Sequence, residues 1–253
     1  MQVNITVNGL DIQATYREQD IEQIFKPLVR HWNALWEKKH GRIIVLMSAP
    51  PGSGKTTLSL YLAQLSEDMP GCLPIQAIGM DGYHYPNAYL ESHNYVEDGK
   101  EITLRSRKGA FFTYDVAGLR EKLIDARTKD PTPWPTYSRV LHDVVPDSQE
   151  VWGEILLIEG NYFQIDEGEW VGIDELADET IYIAAPEEML RGRLVDRKVK
   201  GGSTYEEGVA WYEQSDGKNV RKVLAHHKPA DFELTMDAEG GYTLTKGQEL
   251  LVQ

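Results

Sequence analysis

Four side chains in this sequence have the types and settings that moving a phosphoryl group requires: Lys55, Thr56, Asp81 and Glu159. Lys55 and Thr56 close the run Ala49-Pro-Pro-Gly-Ser-Gly-Lys-Thr-Thr57, which follows an apolar stretch at residues 43–47. Strand, glycine-rich turn and helix start together form the setting in which Gly-Lys-Thr signals phosphate binding. Gly52 and Gly54 let the main chain curl so that successive N–H groups face one anion. Pro51, Gly52, Ser53, Gly54, Lys55, Thr56 and Thr57 are therefore the candidate nucleotide-binding loop. Lys55 offers a mobile positive charge to the outer phosphates, and the Thr56 hydroxyl suits a Mg²⁺ ligand. A helix over residues 56–65 aims its N-terminal dipole at the same anion. The consensus loop opens on glycine, and Ala49 stands in that place.

Asp81 and Glu159 each close an apolar run, at residues 75–80 and 155–158. Ligands of open α/β sheets gather beyond the carboxyl ends of the strands, so both carboxylates are candidates for the site. Asp81 is suited to accept or orient the proton of an acceptor hydroxyl. Glu159 fits the acid that holds Mg²⁺ directly or through water. The helix expected over 186–200 carries Arg193 and Arg197 four residues apart, on one face. Gly201-Gly202 breaks that helix, so residues 186–202 read as a lid that closes over ATP, its arginines following the charge onto the transferred group.

The elements that must position these groups alternate between strand and helix, which argues for a parallel sheet with right-handed crossovers. Residues 2–16 read as a hairpin turning at Asn8-Gly9. A helix over 20–39 follows, its stripe including Trp32 and Trp36 packed on the core, with Gly41 as its stop. A helix at 116–127 precedes a proline-broken loop at 131–135, and a strand at 180–184 leads into the lid helix. Residues 232–244 read as a closing hairpin around Gly240-Gly241. The expected organisation is one α/β phosphate-loop domain over 1–253, with an N-terminal extension at 1–41 and a substrate-facing insertion at 83–150.

At 253 residues and 41% hydrophobic content the chain can bury a full core. A formal charge of −14 repels nucleic-acid backbones and anionic membranes, so neither is an expected partner. One cysteine, Cys72, excludes an intrachain disulfide and fits a reducing compartment. With no leader pattern and no bilayer-length apolar run, the expectation is a cytoplasmic chain. Homodimerisation is left open.

Together these residues resemble the P-loop small-molecule kinases that include uridine kinase, phosphoribulokinase and bacterial pantothenate kinase. Met80-Asp-Gly-Tyr-His-Tyr-Pro-Asn87 is similar to the pantothenate-kinase segment holding the catalytic aspartate, which maps onto Asp81. Residues 107–115, 137–146 and 158–160 resemble that family's stretches near the acceptor and its acidic strand end, and Asp216-Gly-Lys-Asn219 resembles a late segment. The nearest likeness is to a poorly characterised nucleoside- or sugar-kinase-like branch with a similar N-terminal hairpin. The resemblance implies ATP:alcohol phosphotransfer with Mg²⁺. It does not fix the alcohol, because His84 and the longer segment at 91–105 depart from the pantothenate pattern.

On the acceptor side, Arg105, Arg107, Lys108, Arg139 and His142 concentrate positive charge in two irregular segments. Such groups would hold a carboxylate or phosphate, while Tyr83, His84 and Tyr137 would bond or stack against a sugar or base. The expected reaction is transfer of the γ-phosphate of ATP to a hydroxyl of a small metabolite. Two rival classes are a nucleotide-switch ATPase, against which the absence of an Asn-Lys-x-Asp motif speaks, and a binding protein that keeps the fold without transferring phosphate.

Overall fold

The computed structural model describes residues 1–7, 10–128 and 131–251. Its centre is a six-stranded sheet built from β3 (Ile43–Ser48), β4 (Ile75–Gly79), β9 (Ile155–Gly160), β10 (Glu179–Ala184), β11 (Phe232–Met236) and β12 (Tyr242–Lys246). The spatial order is β12-β11-β10-β3-β9-β4. The strands are parallel except β12, which returns antiparallel on β11. This is the α/β sheet that the strand–helix alternation implies.

β3 is apolar throughout because both its faces are covered. Ile43, Val45 and Met47 face a layer holding Phe25, Leu28 and Trp32 of the N-terminal helix and Leu58 and Leu62 of the helix after the phosphate loop. Ile44 and Leu46 face the opposite layer, with Leu119 and Leu123, Trp134 and Trp170. A one-residue shift of β3 would exchange the two faces.

The N-terminal strands β1 (Gln2–Val7) and β2 (Leu10–Thr15) pair antiparallel, and the expected Asn8-Gly9 turn lies outside the described residues. The helix after them runs from 18 to 39 with a π-turn over Ile21–Phe25. It is stopped by His40, which takes the left-handed position (φ 54°) expected of Gly41. Trp32 is core, and its Nε1 donates to Glu179 at 3.0 Å.

Two segments depart from the sequence reading. Residues 131–135 do not form a loop: Thr132–Ser138 is a strand, β7, pairing antiparallel with β8 (Asp143–Val151). In a two-stranded ribbon each strand has a single partner, so Pro133 and Pro135 can turn their missing donors to the open edge. The register also shifts between Trp134 and Thr136, beside Pro135. Residues 205–225, unassigned from sequence beyond the 216–219 segment, form a helix interrupted by a π-turn at Tyr212–Asp216. The insertion also holds a small hairpin, β5 (Asn94–Glu97) with β6 (Lys100–Thr103). No described helix is long and apolar enough to cross a membrane.

Candidate active site

The loop after β3 is anchored on the neighbouring strand. The Ala49 amide donates to the Gly160 carbonyl at 3.1 Å, and the Ser48 hydroxyl to the Asn161 carbonyl at 3.1 Å. Ala49 is buried with an ordinary negative φ, so this loop does not need the consensus glycine there. Gly52 (φ 83°) and Gly54 (φ 87°) do adopt the left-handed conformation that favours glycine. The helix Lys55–Asp68 starts directly after Gly54. Ser53 Oγ is buried without a partner at this helix start, as a group awaiting an anion's oxygen would be. An orphaned hydroxyl beside helix N-terminal amides fits a phosphate group.

Glu159 sits between the two strands that lead to the loop and to Asp81: it pairs in register with Met47 of β3 and with Gly79 of β4. Thr56 Oγ1 donates to its Oε1 at 2.7 Å, and Lys55 Nζ lies 3.8 Å from its Oε2. Burial pushes the Glu159 carboxyl above the usual carboxylate range, with Lys55 opposing and Asp81 reinforcing the shift. A divalent cation would relieve that cost. Among the described residues no group of three or more His, Cys, Asp or Glu could hold a metal unaided. Thr56 and Glu159 therefore fit Mg²⁺ only in its usual protein role, with phosphate and water completing the shell.

Asp81 opens the short turn Asp81–Tyr83 and is exposed. Just before it, the Met80 amide donates to the Glu159 carbonyl at 2.9 Å. Just after it, Gly82 lies so near the ribbon that a Cβ there would stand 2.1 Å from the Pro135 carbonyl oxygen. The ribbon thus roofs a cleft of about 210 Å³ whose walls include Thr56, Asp81, Tyr137, Arg139, Gln149 and Glu159.

The remaining sequence candidates fall in different places. Arg193 Nη1 donates to the Gly52 and Ser53 carbonyls at 3.4 and 3.3 Å, while Arg197 is exposed one turn further along. Leu190 and Leu194 of the same helix, Glu187–Lys200, are buried, and a Cβ on Gly52 would stand 3.0 Å from Leu194 Cγ. This half of the helix packs against the loop, and the break at Gly201-Gly202 follows it.

Tyr83 is buried edge-on to Trp134 (centroids 5.0 Å) and lines a separate cavity with His84. His84 stacks on Tyr114 at 3.9 Å and meets Tyr137 edge-on at 5.6 Å. Burial brings its pKa down to about 4, so the ring is neutral at pH 7. Arg107 is buried, its Nε bonding both Glu97 oxygens at 3.0 Å and its Nη atoms bonding Ser215 and Asn219. Lys108 Nζ donates to Asn87 Oδ1 at 2.7 Å and to the His142 carbonyl at 2.9 Å, and lies over the Tyr137 ring. The exposed His142 takes φ 52° at the ribbon turn. Among the acceptor-side candidates, then, Tyr137 and Arg139 line the cleft, while Tyr83, His84, Arg107, Lys108 and His142 do not. Gln149 and Thr136 were missed. Recognising β7 as a strand would expose Thr136, but Gln149 is known only through its register opposite Trp134.

No family model matches the chain. It is 38% identical to the uncharacterized protein YggC of Escherichia coli strain K12 over 246 residues, covering 97% of this chain and 100% of that protein. It is 28% identical to the pantothenate kinase of Pasteurella multocida over 202 residues, spanning 72% of this chain and 61% of that enzyme. Among solved structures, a "putative fructose transport system kinase" from Silicibacter sp. TM1040 superposes with a TM-score of 0.73 at 29% identity, over 83% of this chain and 96% of that one.

Proposed function

Because this chain belongs to the P-loop small-molecule kinases that include uridine kinase, phosphoribulokinase and bacterial pantothenate kinase, within the family of YggC, we propose that it transfers the γ-phosphate of ATP to a hydroxyl of a small metabolite. What carries this reading is that Asp81 opens into the same cleft as the hydrogen-bonded Thr56–Glu159 pair, one residue from the Lys55 ammonium. Lys55 and the amides that start the helix hold the outer phosphates. Thr56 and Glu159 would hold Mg²⁺, which when bound would neutralise phosphate charge. Asp81 takes or orients the proton of the incoming hydroxyl. Arg193, whose Nη1 donates to the Gly52 and Ser53 carbonyls, would follow charge on the transferred group. With no covalent step for the protein to perform, alignment and electrostatics supply the rate.

The test is ADP release from Mg²⁺-ATP against nucleosides, pentoses, hexoses, their monophosphates and pantothenate. With an active acceptor, Asp81→Asn lowers kcat by about 10²–10⁴-fold and leaves ATP binding intact. Turnover unchanged in that variant removes Asp81 from its role. ATP hydrolysis indifferent to every alcohol would replace the kinase reading with an ATPase.

A further inference from the structure

A cavity of about 540 Å³ is walled by the N-terminal helix and by the helix that starts at the phosphate loop, and it shares no lining residue with the cleft. On the second helix, Tyr61, Leu65 and Asp68 are spaced four and three apart and so share one face. On the first, the wall includes Ile21 and Glu22 of the π-turn, a rare backbone form found often at functional sites. The Tyr61 ring is 2% exposed, stacked on Tyr16 at 4.6 Å and edge-on to Phe25 at 6.1 Å. Its hydroxyl is buried without a hydrogen-bond partner. Burial, then the Glu22 and Asp68 carboxylates, hold that hydroxyl above the ordinary phenol range. Both carboxylates belong to the cavity wall, so the orphaned hydroxyl is at the cavity end of the ring. Buried polar groups are almost always satisfied, and this one marks a place for a ligand's polar atom.

The wall carries both signs of charge. Lys26 is paired with Glu22, whose carboxylate keeps lone pairs to spare, whereas Arg30 and Asp68 make no hydrogen bond or ion pair with any described residue. A simple anion entering here would meet Glu18, Glu22 and Asp68, and a simple cation would leave Arg30 without a counter-charge. A molecule with one charge of each sign answers both. An ammonium has three N–H donors, and Glu22, Asp68 and the Tyr61 oxygen supply three acceptors. The Arg30 fork suits a carboxylate. Ile21, Leu65 and Met69 are buried and apolar, a surface for a hydrocarbon body. We infer that this cavity binds a zwitterionic amino compound with an apolar body, of the class of the apolar amino acids, its ammonium held by Glu22, Asp68 and Tyr61 and its carboxylate by Arg30. The volume falls within the range of about 300–1,000 Å³ typical of small-molecule sites. Nothing in this site depends on the kinase reading.

The test is calorimetric titration of the full chain with matched probes: L-phenylalanine with phenethylamine and phenylpropanoate, and L-leucine with isoamylamine and isocaproate. Each pair of analogues removes one charge and keeps the hydrocarbon. At least one amino acid should bind about tenfold or more tightly than either of its analogues, the size of one charged hydrogen bond. Binding should persist with Mg²⁺-ATP present, because the two sites share no residue. Arg30→Gln should weaken the amino acid about tenfold and leave the amine unchanged. Tyr61→Phe should weaken the amino acid and the amine alike, yet keep the thermal midpoint of the empty protein, since the hydroxyl it removes bonds nothing there. A lowered midpoint with unchanged affinity would make the hydroxyl structural and overturn the inference. So would an amine that binds as well as its amino acid, loss of binding when ATP is added, or no heat from any of the six probes at millimolar concentration.

Discussion

Thr56 Oγ1 donates to Glu159 Oε1 at 2.7 Å across 103 residues of chain. The contact exists because β3 and β9 are adjacent parallel strands whose carboxyl ends lie level, Met47 opposite Glu159 and Ser48 opposite Gly160. The hydroxyl therefore holds the carboxylate with which it would share a cation. Thr56→Val keeps the side-chain shape and removes the oxygen. The Mg²⁺ concentration for half-maximal ADP release should rise by about 10–100-fold, the usual effect of losing a group that orients a metal ligand. A Mg²⁺ titration of both proteins at saturating ATP checks it, and superimposable curves would remove Thr56 from the metal site.

Glu159 itself predicts a pH dependence. Burial raises its pKa above the ordinary 4.5, so the fold prefers the protonated acid. Whatever stability this gives is fully present below about pH 4.5 and is lost as pH rises through the higher folded value. Glu159→Gln stays neutral throughout. Without Mg²⁺ and nucleotide, its thermal midpoint should match wild type near pH 4 and move above it toward neutrality, although its activity is lost. Thermal melts from pH 4 to 8 decide the point, and a variant less stable than wild type at pH 7 would show that pairing with Lys55 outweighs burial.

The part of the candidate site around the glycine-rich loop is legible because its residues are contiguous or end apolar runs: the loop at 51–57, Asp81 and Glu159 follow from strand–turn–helix chemistry, and Asp81 and Glu159 line one cleft with Thr56. The acceptor half was less so. The prolines at 133 and 135 hide a strand, since single-partner pairing is a tertiary circumstance that local chemistry does not reveal. The π-turn at Tyr212–Asp216, together with Gly208 and Gly217, blurs the helical period of residues 205–225. Arg107 read as an acceptor-facing cation because its partners Ser215 and Asn219 are more than 100 residues away.

Gly82 is where a single methyl should do the most damage. A Cβ there would meet the Pro135 oxygen at 2.1 Å, its carbonyl carbon at 2.3 Å and the Thr136 amide nitrogen at 2.8 Å. These are backbone atoms, which cannot rotate aside as a flexible side chain would. Gly82→Ala should destabilise the fold by about 1–3 kcal/mol. It should also raise the acceptor KM, because the ribbon carrying Tyr137 and Arg139 must move off Asp81. Urea unfolding together with acceptor kinetics tests both effects; wild-type values in each would mean the ribbon is not held by this contact.

Arg107 should behave as a structural clasp. Its guanidinium joins the β5–β6 hairpin, through Glu97, to the π-turn, through the Ser215 hydroxyl and carbonyl. Lys218 reaches the same Glu97 at 2.9 Å. Removing one partner of such a buried pair costs about 3–5 kcal/mol. Arg107→Lys cannot span the same fork and should recover little of it. The expected result is a large fall in unfolding free energy for Arg107→Ala and Arg107→Lys alike. A rise in acceptor KM with unchanged stability would instead make Arg107 an acceptor contact.

His84 gives a second pH signature, of opposite sign to that of Glu159. Its pKa is brought from the ordinary 6.5 down to about 4 by burial against Tyr114 and Tyr137, with the nearby Asp81 pulling the other way. Between those values the unfolded chain binds a proton that the folded chain refuses. The contribution is therefore complete above about pH 6.5 and is lost as pH falls toward 4, with a slope of up to about 1.4 kcal/mol per pH unit. His84→Phe keeps a ring for stacking on Tyr114 and cannot titrate, so its stability should be flatter across that window. Comparing urea unfolding of the two proteins at pH 4.5, 5.5 and 7 separates this slope from that of the carboxylates common to both. Equal slopes would mean that the His84 ring is charged in the fold, and so faces a partner that a buried neutral imidazole does not require.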